Sequence, residues 1–124
     1  MASVLIVEDE ALVRMMVADM LAELGHTVAE AGDLRAGMAL AQASDFDAAI
    51  LDLNLGSVSS EPIAEALQGR GIPFAFATGY GADGLPNGFT ERPPLGKPFQ
   101  IEELDRCLSS LLASGSPTAL NRCQ

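Results

Sequence analysis

The sequence predicts an α/β domain, a parallel sheet with helices on both faces, and three observations predict it. Short continuous apolar runs rich in β-branched residues recur at "SVLIV" (3–7), "DAAILDL" (47–53) and "IPFAFAT" (72–78). Such runs suit strands buried on both sides. The stretches between them carry apolar residues at helical intervals, and the connections are short and rich in turn residues. Alternation of this kind places the strands parallel and the helices over both faces of the sheet.

The elements follow in order. "SVLIV" is the first strand. From Glu10 to Leu24 the residues Val13, Met16, Val17, Met20 and Leu24 recur at helical spacing, and Gly25 stops the helix. "TVAEA" (27–31) is a weaker second strand. "DLRAGMALAQA" (33–43) is a small-residue helix with Asp33 as N-cap and Leu34, Met38 and Ala41 on one face. "DAAILDL" is the third strand, broken only by Asp52, and "NLGSVSS" reads as a loop. Ser60 caps a short helix through Gln68, with Pro62 in its first turn and Gly69 and Gly71 at its end. "IPFAFAT" is the fourth strand, with Pro73 at its start. Residues 79–90 are glycine-rich, so no regular helix is expected there. "PPLGKPF" holds a short fifth strand, and Ile101, Leu104, Leu108, Leu111 and Leu112 mark a last amphipathic helix. Residues 1–113 are expected to form one domain and 114–124 a flexible tail.

Composition narrows the function. The 124 residues carry a formal net charge of -10. Nucleic acid and anionic membranes both demand a basic face, so neither is an expected partner. A metal cation or a basic protein surface suits the charge better. Cys107 and Cys123 fit neither a disulfide framework nor a zinc site. "MASVLIVEDE" turns acidic where a signal peptide needs a longer apolar stretch, and no run reaches the ~20 residues of a membrane span. A reducing cytoplasm is the expected compartment.

Open parallel sheets bind ligands at the carboxyl ends of their strands. The first strand ends in Glu8 and Asp9, the third in Asp52, the fourth in Thr78, and the fifth in Lys97 and Pro98. Three carboxylates in one crevice repel unless a cation joins them. Oxygen ligands of this kind suit Mg2+, with Mn2+ as a substitute. A cation there attracts a phosphoryl oxygen, and phosphoryl transfer needs positioning and charge neutralisation more than covalent help. Asp52 is then the nucleophile, Lys97 pairs with one phosphoryl oxygen, and the Thr78 hydroxyl donates to another.

Together "VLIVEDE", "AAILDLNL", "FAT" and "LGKPF" resemble the receiver domain of two-component response regulators, over residues 3–113. The resemblance implies a flavodoxin-like (βα)5 fold with a five-stranded parallel sheet in the order 2-1-3-4-5. It implies Asp52 as phosphoacceptor, and Glu8, Asp9, Asp52 and the main-chain carbonyl of Asn54 around Mg2+. It implies Thr78 as switch hydroxyl and Lys97 as the lysine that precedes a cis proline bond at Pro98. "PFAFATGYG" resembles the FATGUY group of single-domain receivers, whose partners are sensor histidine kinases, often of the HWE type. Pro94 departs from the pattern, because receivers place an aromatic switch residue there. The fourth helix is expected to be short or irregular.

Tyr80 is expected to shield an aspartyl phosphate from water, and residues 79–90 to order on phosphorylation. The implied function is a single-domain response regulator that takes a phosphoryl group from a histidine kinase and switches a partner or relays phosphate. It would be a monomer and no enzyme in the turnover sense, catalysing only its own phosphorylation and dephosphorylation. The competing reading is a phosphorylation-independent interaction module. A phosphohydrolase would need a second acid two residues after Asp52, where Asn54 stands. His26 reads as an exposed turn residue, Met15, Met16, Met20 and Met38 as core filler and helix surface, Cys107 as structural, and Asp45, Asp47 and Asp83 as turn residues.

Overall fold

A computed structural model describes residues 2–78, 95–97 and 99–114. The expectations for Tyr80, Asp83, Pro94, Pro98, Cys123, the segment 79–90 and the tail from residue 115 lie outside these described residues.

The order of elements is β1 (Ser3–Val7), α1 (Ala11–Glu23), β2 (Thr27–Ala31), α2 (Leu34–Ala43), β3 (Ala48–Asp52), β4 (Asn54–Leu55), β5 (Val58–Ser59), α3 (Glu61–Gly69), β6 (Phe74–Thr78), β7 (Leu95–Gly96) and α4 (Ile101–Ser114). Five strands form one sheet in the order β2-β1-β3-β6-β7, and every pair in it is parallel. Once the small β4–β5 hairpin is set aside, this is the expected 2-1-3-4-5 order.

Side chains alternate across a strand, and here both faces are dry. Val4 and Ile6 of β1 join Ile50 of β3 and Ala75 and Ala77 of β6 beneath Val17 and Leu21 of α1 and Leu104, Leu108 and Leu111 of α4. Leu5, Val7, Ala49, Leu51 and Phe76 point the other way, onto Ala41 of α2 and Ile63 and Leu67 of α3. Each leucine or isoleucine fully buried in these layers stabilises the fold by about 1.5–3 kcal/mol.

The second layer is tied tightly. Gly37 of α2 is buried, and a Cβ there would lie 2.5 Å from Ile63 Cδ1 and 3.2 Å from Val7 Cγ1. Only glycine lets the helix come this close. At the far end, Arg70 donates to the carbonyls of Ala41 (2.7 Å) and Ser44 (2.6 Å) and pairs with Asp45 at 2.7 Å. These are a carbonyl of the last turn of α2 and that of its C-cap residue, neither of which has a partner within the helix.

Several expectations need correction. "NLGSVSS" is not a plain loop, because Asn54–Leu55 and Val58–Ser59 pair antiparallel around Gly56 and Ser57. Gly56 takes φ +67°, as a two-residue hairpin turn requires. Ser60 stands at the N-cap of α3 but makes no side-chain cap. The Ser59 hydroxyl accepts from Glu61 N at 3.0 Å instead, while the buried Ser60 hydroxyl donates to the Leu53 carbonyl at 3.1 Å. Asp33 does cap α2, accepting from Ala36 N at 2.8 Å. Met16 and Leu112 fall on exposed faces, because Val17 and Leu21, and Leu108 and Leu111, take the inward positions. His26 is half-buried and its Nδ1 accepts from Ala2 N at 3.1 Å, which ties the start of β1 to the turn before β2.

Candidate functional site

Strand register decides which side chains meet. Val7 lies opposite Leu51, so the residues that follow on each strand, Glu8 and Asp52, emerge side by side. Asp52 lies opposite Ala77, and Thr78 follows it; Thr78 lies opposite Gly96, and Lys97 follows that. Four neighbouring strands thus bring two carboxyl groups, a hydroxyl and an ammonium to one edge. That edge is the carboxyl end of the sheet, beside the switch point between β1 and β3.

An open cleft of about 590 Å³ lies over it, lined by Asp9, Asp52, Asn54, Gly56, Thr78 and Lys97 among others. Carboxylate oxygens of Glu8, Asp9 and Asp52 all lie within 4.8 Å of one another. Asp9 is exposed, whereas Glu8 (4%), Asp52 (9%) and Thr78 (3%) are nearly closed off from solvent. Lys97 Nζ bridges the two buried acids, 2.7 Å from Glu8 Oε1 and 3.1 Å from Asp52 Oδ1. Its main-chain N–H donates to the Thr78 carbonyl at 2.9 Å, so the lysine is fixed to the strand beside it.

One lysine does not balance three carboxyl groups, and their acidities split as a result. Burial pushes Asp52 up to about 7; its hydrogen bond with the Glu8 carboxyl adds to the rise, and Lys97 pulls against it. Burial acts on Asp9 in the same sense but is outweighed by hydrogen bonds with Glu8 and Asp52 and from the main chain at Asp9 and Gly56, so Asp9 stays below its usual value. Burial alone would lower Lys97; its hydrogen bonds to Glu8 and Asp52 raise it instead. The cluster thus carries more carboxyl charge than Lys97 neutralises, and a second cationic charge is wanted there.

That donor set fits a hard divalent ion. All its side-chain donors are carboxylate oxygens, and one of them, on Asp9, faces solvent. The sequence-predicted ligands Glu8, Asp9 and Asp52 come together, and Asn54 lies on the cleft wall. Thr78 and Lys97 line the same cleft. Tyr80 lies outside the described residues.

Sequence reasoning missed how the loops beneath the site are held. Glu8 N donates to the Ala31 carbonyl at 3.0 Å, Glu8 Oε2 accepts from Glu10 N at 3.2 Å, and Arg14 donates to the Glu8 carbonyl at 2.8 Å. After Asp52, Leu53 N donates to the Ala77 carbonyl at 3.0 Å, and the Leu53 carbonyl accepts from both Ser60 N and Ser60 Oγ at 3.1 Å. One signal for Arg14 was available: a cation one turn into a helix opposes the dipole and so wants another partner.

Comparison with known proteins decides what this edge belongs to. The family model described as the response regulator receiver domain matches residues 4–89. The chain belongs to that family.

The two-component response regulator PhoP of Pseudomonas aeruginosa is 34% identical to this receiver domain over 119 residues, which is 90% of this chain and 52% of PhoP. The chain spans about half the length of the curated relatives it matches. Among solved structures, SdrG from Sphingomonas melonis Fr1 is 43% identical with a TM-score of 0.79, covering 90% of this chain and 97% of its own. The receiver domain of the sensor histidine kinase PA1611 from Pseudomonas aeruginosa PAO1 is 26% identical with a TM-score of 0.76, covering 91% and 98%; its structure holds a magnesium ion coordinated in the active-site cleft. Among the described residues of this receiver, no helix is long and apolar enough to cross a membrane.

Proposed function

We propose that this receiver accepts a phosphoryl group on Asp52 from the histidine of a sensor kinase and signals through the altered carboxyl edge. The observation that carries the reading is the placement of Asp52: a nearly buried carboxyl group that opens onto the cleft, with Glu8 and Asp9 beside it and Lys97 on its Oδ1. Asp9, Asp52, Glu8 and the Asn54 carbonyl would hold Mg2+, which supplies charge neutralisation for phosphoryl oxygens. Asp52 would react as the carboxylate, its proton released to solvent in the open cleft: one of its oxygens bonds to phosphorus as the P–N bond to the kinase histidine breaks and that electron pair returns to the imidazole nitrogen. Lys97 is placed to pair with a phosphoryl oxygen, and the Thr78 hydroxyl to donate to another.

The chain's own residues thus promote one transfer onto themselves and its later hydrolysis, which is not turnover of an external substrate. The run "PFAFATGYG" supports a FATGUY-type receiver, and with it an HWE-type kinase partner in the bacterial cytoplasm. The test is intact mass after incubation with Mg2+ and acetyl phosphate. A single phosphoryl adduct is expected on the wild type and none on Asp52→Ala. A folded wild type that takes up no phosphoryl group would favour an interaction module that works without phosphorylation.

A further inference from the structure

The geometry points to Arg14 as the positioning residue of the divalent-ion site, with Gly32 leaving the space its guanidinium occupies; this rests on the reading of the acidic cluster as an ion site. Arg14 touches none of the three clustered carboxyl groups in the structure's hydrogen bonds. Its Nη1 donates to the main-chain carbonyl of Glu8 at 2.8 Å, and its Nε lies 3.4 Å from Glu30 Oε1 at the end of β2.

The Glu8 carbonyl belongs to the peptide that joins Glu8 to Asp9, so its direction sets where both side chains leave the backbone. On the other side, Glu8 N is held by the Ala31 carbonyl at 3.0 Å. The pair of acids is therefore clamped from both ends, by β2 behind and by a guanidinium in front.

Gly32, directly after β2, makes room for this. A Cβ there would lie 2.9 Å from Arg14 Nη1 and 3.5 Å from Cζ. A methyl group at residue 32 would meet only the movable tip of the arginine, so it displaces the guanidinium without forcing backbone apart. A lysine cannot replace the clamp, because a point charge has no fork with which to span Glu8 and Glu30.

The sign of the effect separates this role from simple charge. Arg14 is a cation close to an acidic cluster, so deleting its charge strengthens cation binding if electrostatics alone matter. Positioning predicts the reverse. Calorimetric titration of Mg2+ into the wild type, Arg14→Gln and Gly32→Ala provides the test, with amide shifts of Glu8 and Asp9 followed in parallel. Loss of a residue that orients a ligand costs on the order of tenfold in metal affinity, and that weakening is expected in both variants, with circular dichroism unchanged. Gly32→Ala keeps every charge and remains decisive if Arg14→Gln fails to fold. Equal or tighter Mg2+ binding in either folded variant overturns the inference while leaving Asp52 phosphorylation standing. A wild type that binds no Mg2+ overturns the ion-site reading and this inference with it.

Discussion

The acids of this site stand in the β1–α1 loop and at the end of β3 beside the loop that follows it, and the two loops are secured by different means. The β1–α1 loop holds Glu8 and Asp9 through charged side chains: Lys97 on Glu8 Oε1 and Arg14 on the Glu8 carbonyl. The loop after β3, which directly follows Asp52, is itself fixed by neutral bonds, two of them from Ser60 to the Leu53 carbonyl, and the charged contact there is the one Lys97 shares with Glu8. One lysine serves the acids of both strands, so their charge is only partly balanced. The shortfall shows at Asp52, where burial raises the pKa of the carboxyl group although Lys97 pulls against it. A reacting carboxyl group can be firmly placed and still electrostatically unsettled, because the neutral bonds that fix the loop beside it do not neutralise its charge.

Removing Lys97 should break this contrast most severely. Lys97→Met leaves Glu8 and Asp52 facing each other with no cation between them. Breaking one side of a buried ion pair costs about 3 kcal/mol or more. Urea unfolding at pH 8 should show a loss of that order, and the Asp52 carboxyl carbon should titrate at higher pH than in the wild type.

A gain is expected next. Asp52 loses its proton near pH 3.8 in an unfolded chain but near 7 in the fold. Between these values the folded chain binds the extra proton, so wild-type stability falls as pH rises, and the penalty is complete above about pH 7. The full gap corresponds to about 4 kcal/mol. Asp52→Asn also forfeits the Lys97 contact, so a gain of about 2 kcal/mol is expected at pH 8 with metal chelated, and none at pH 3.5. A gain equally large at both pH values would show that the buried charge is not the cause.

Ser60→Ala sharpens the other side of the comparison. The Ser60 hydroxyl is fully buried, but Ser60 N still reaches the same Leu53 carbonyl after the change. A loss of about 1 kcal/mol is expected by chemical denaturation. A loss as large as that of Lys97→Met would mean that the neutral loop matters as much as the charged one.

Most of this architecture was legible because strand burial leaves a strong mark on sequence. "VLIV" (4–7) and "AAIL" (48–51) can be apolar throughout only if both faces are covered, and the acids that follow them stand out by contrast. Local asymmetry was harder to read. Met16 and Val17 are adjacent and both apolar, and only the packing of α1 decides that Val17 turns inward. The hairpin at 54–59 is too short for alternation to show, although Gly56-Ser57 was a fair turn signal. Lys97 was read for what it could offer a phosphoryl group, and its ties to Glu8 and Asp52 depend on register across four strands.

Arg70 and Gly37 have a mechanical consequence. With α2 drawn against α3 at Gly37 and its last carbonyls gripped by Arg70, the two helices form a stiff plate behind the sheet. The sheet is therefore braced on that face by two helices bound to each other, not by each helix separately.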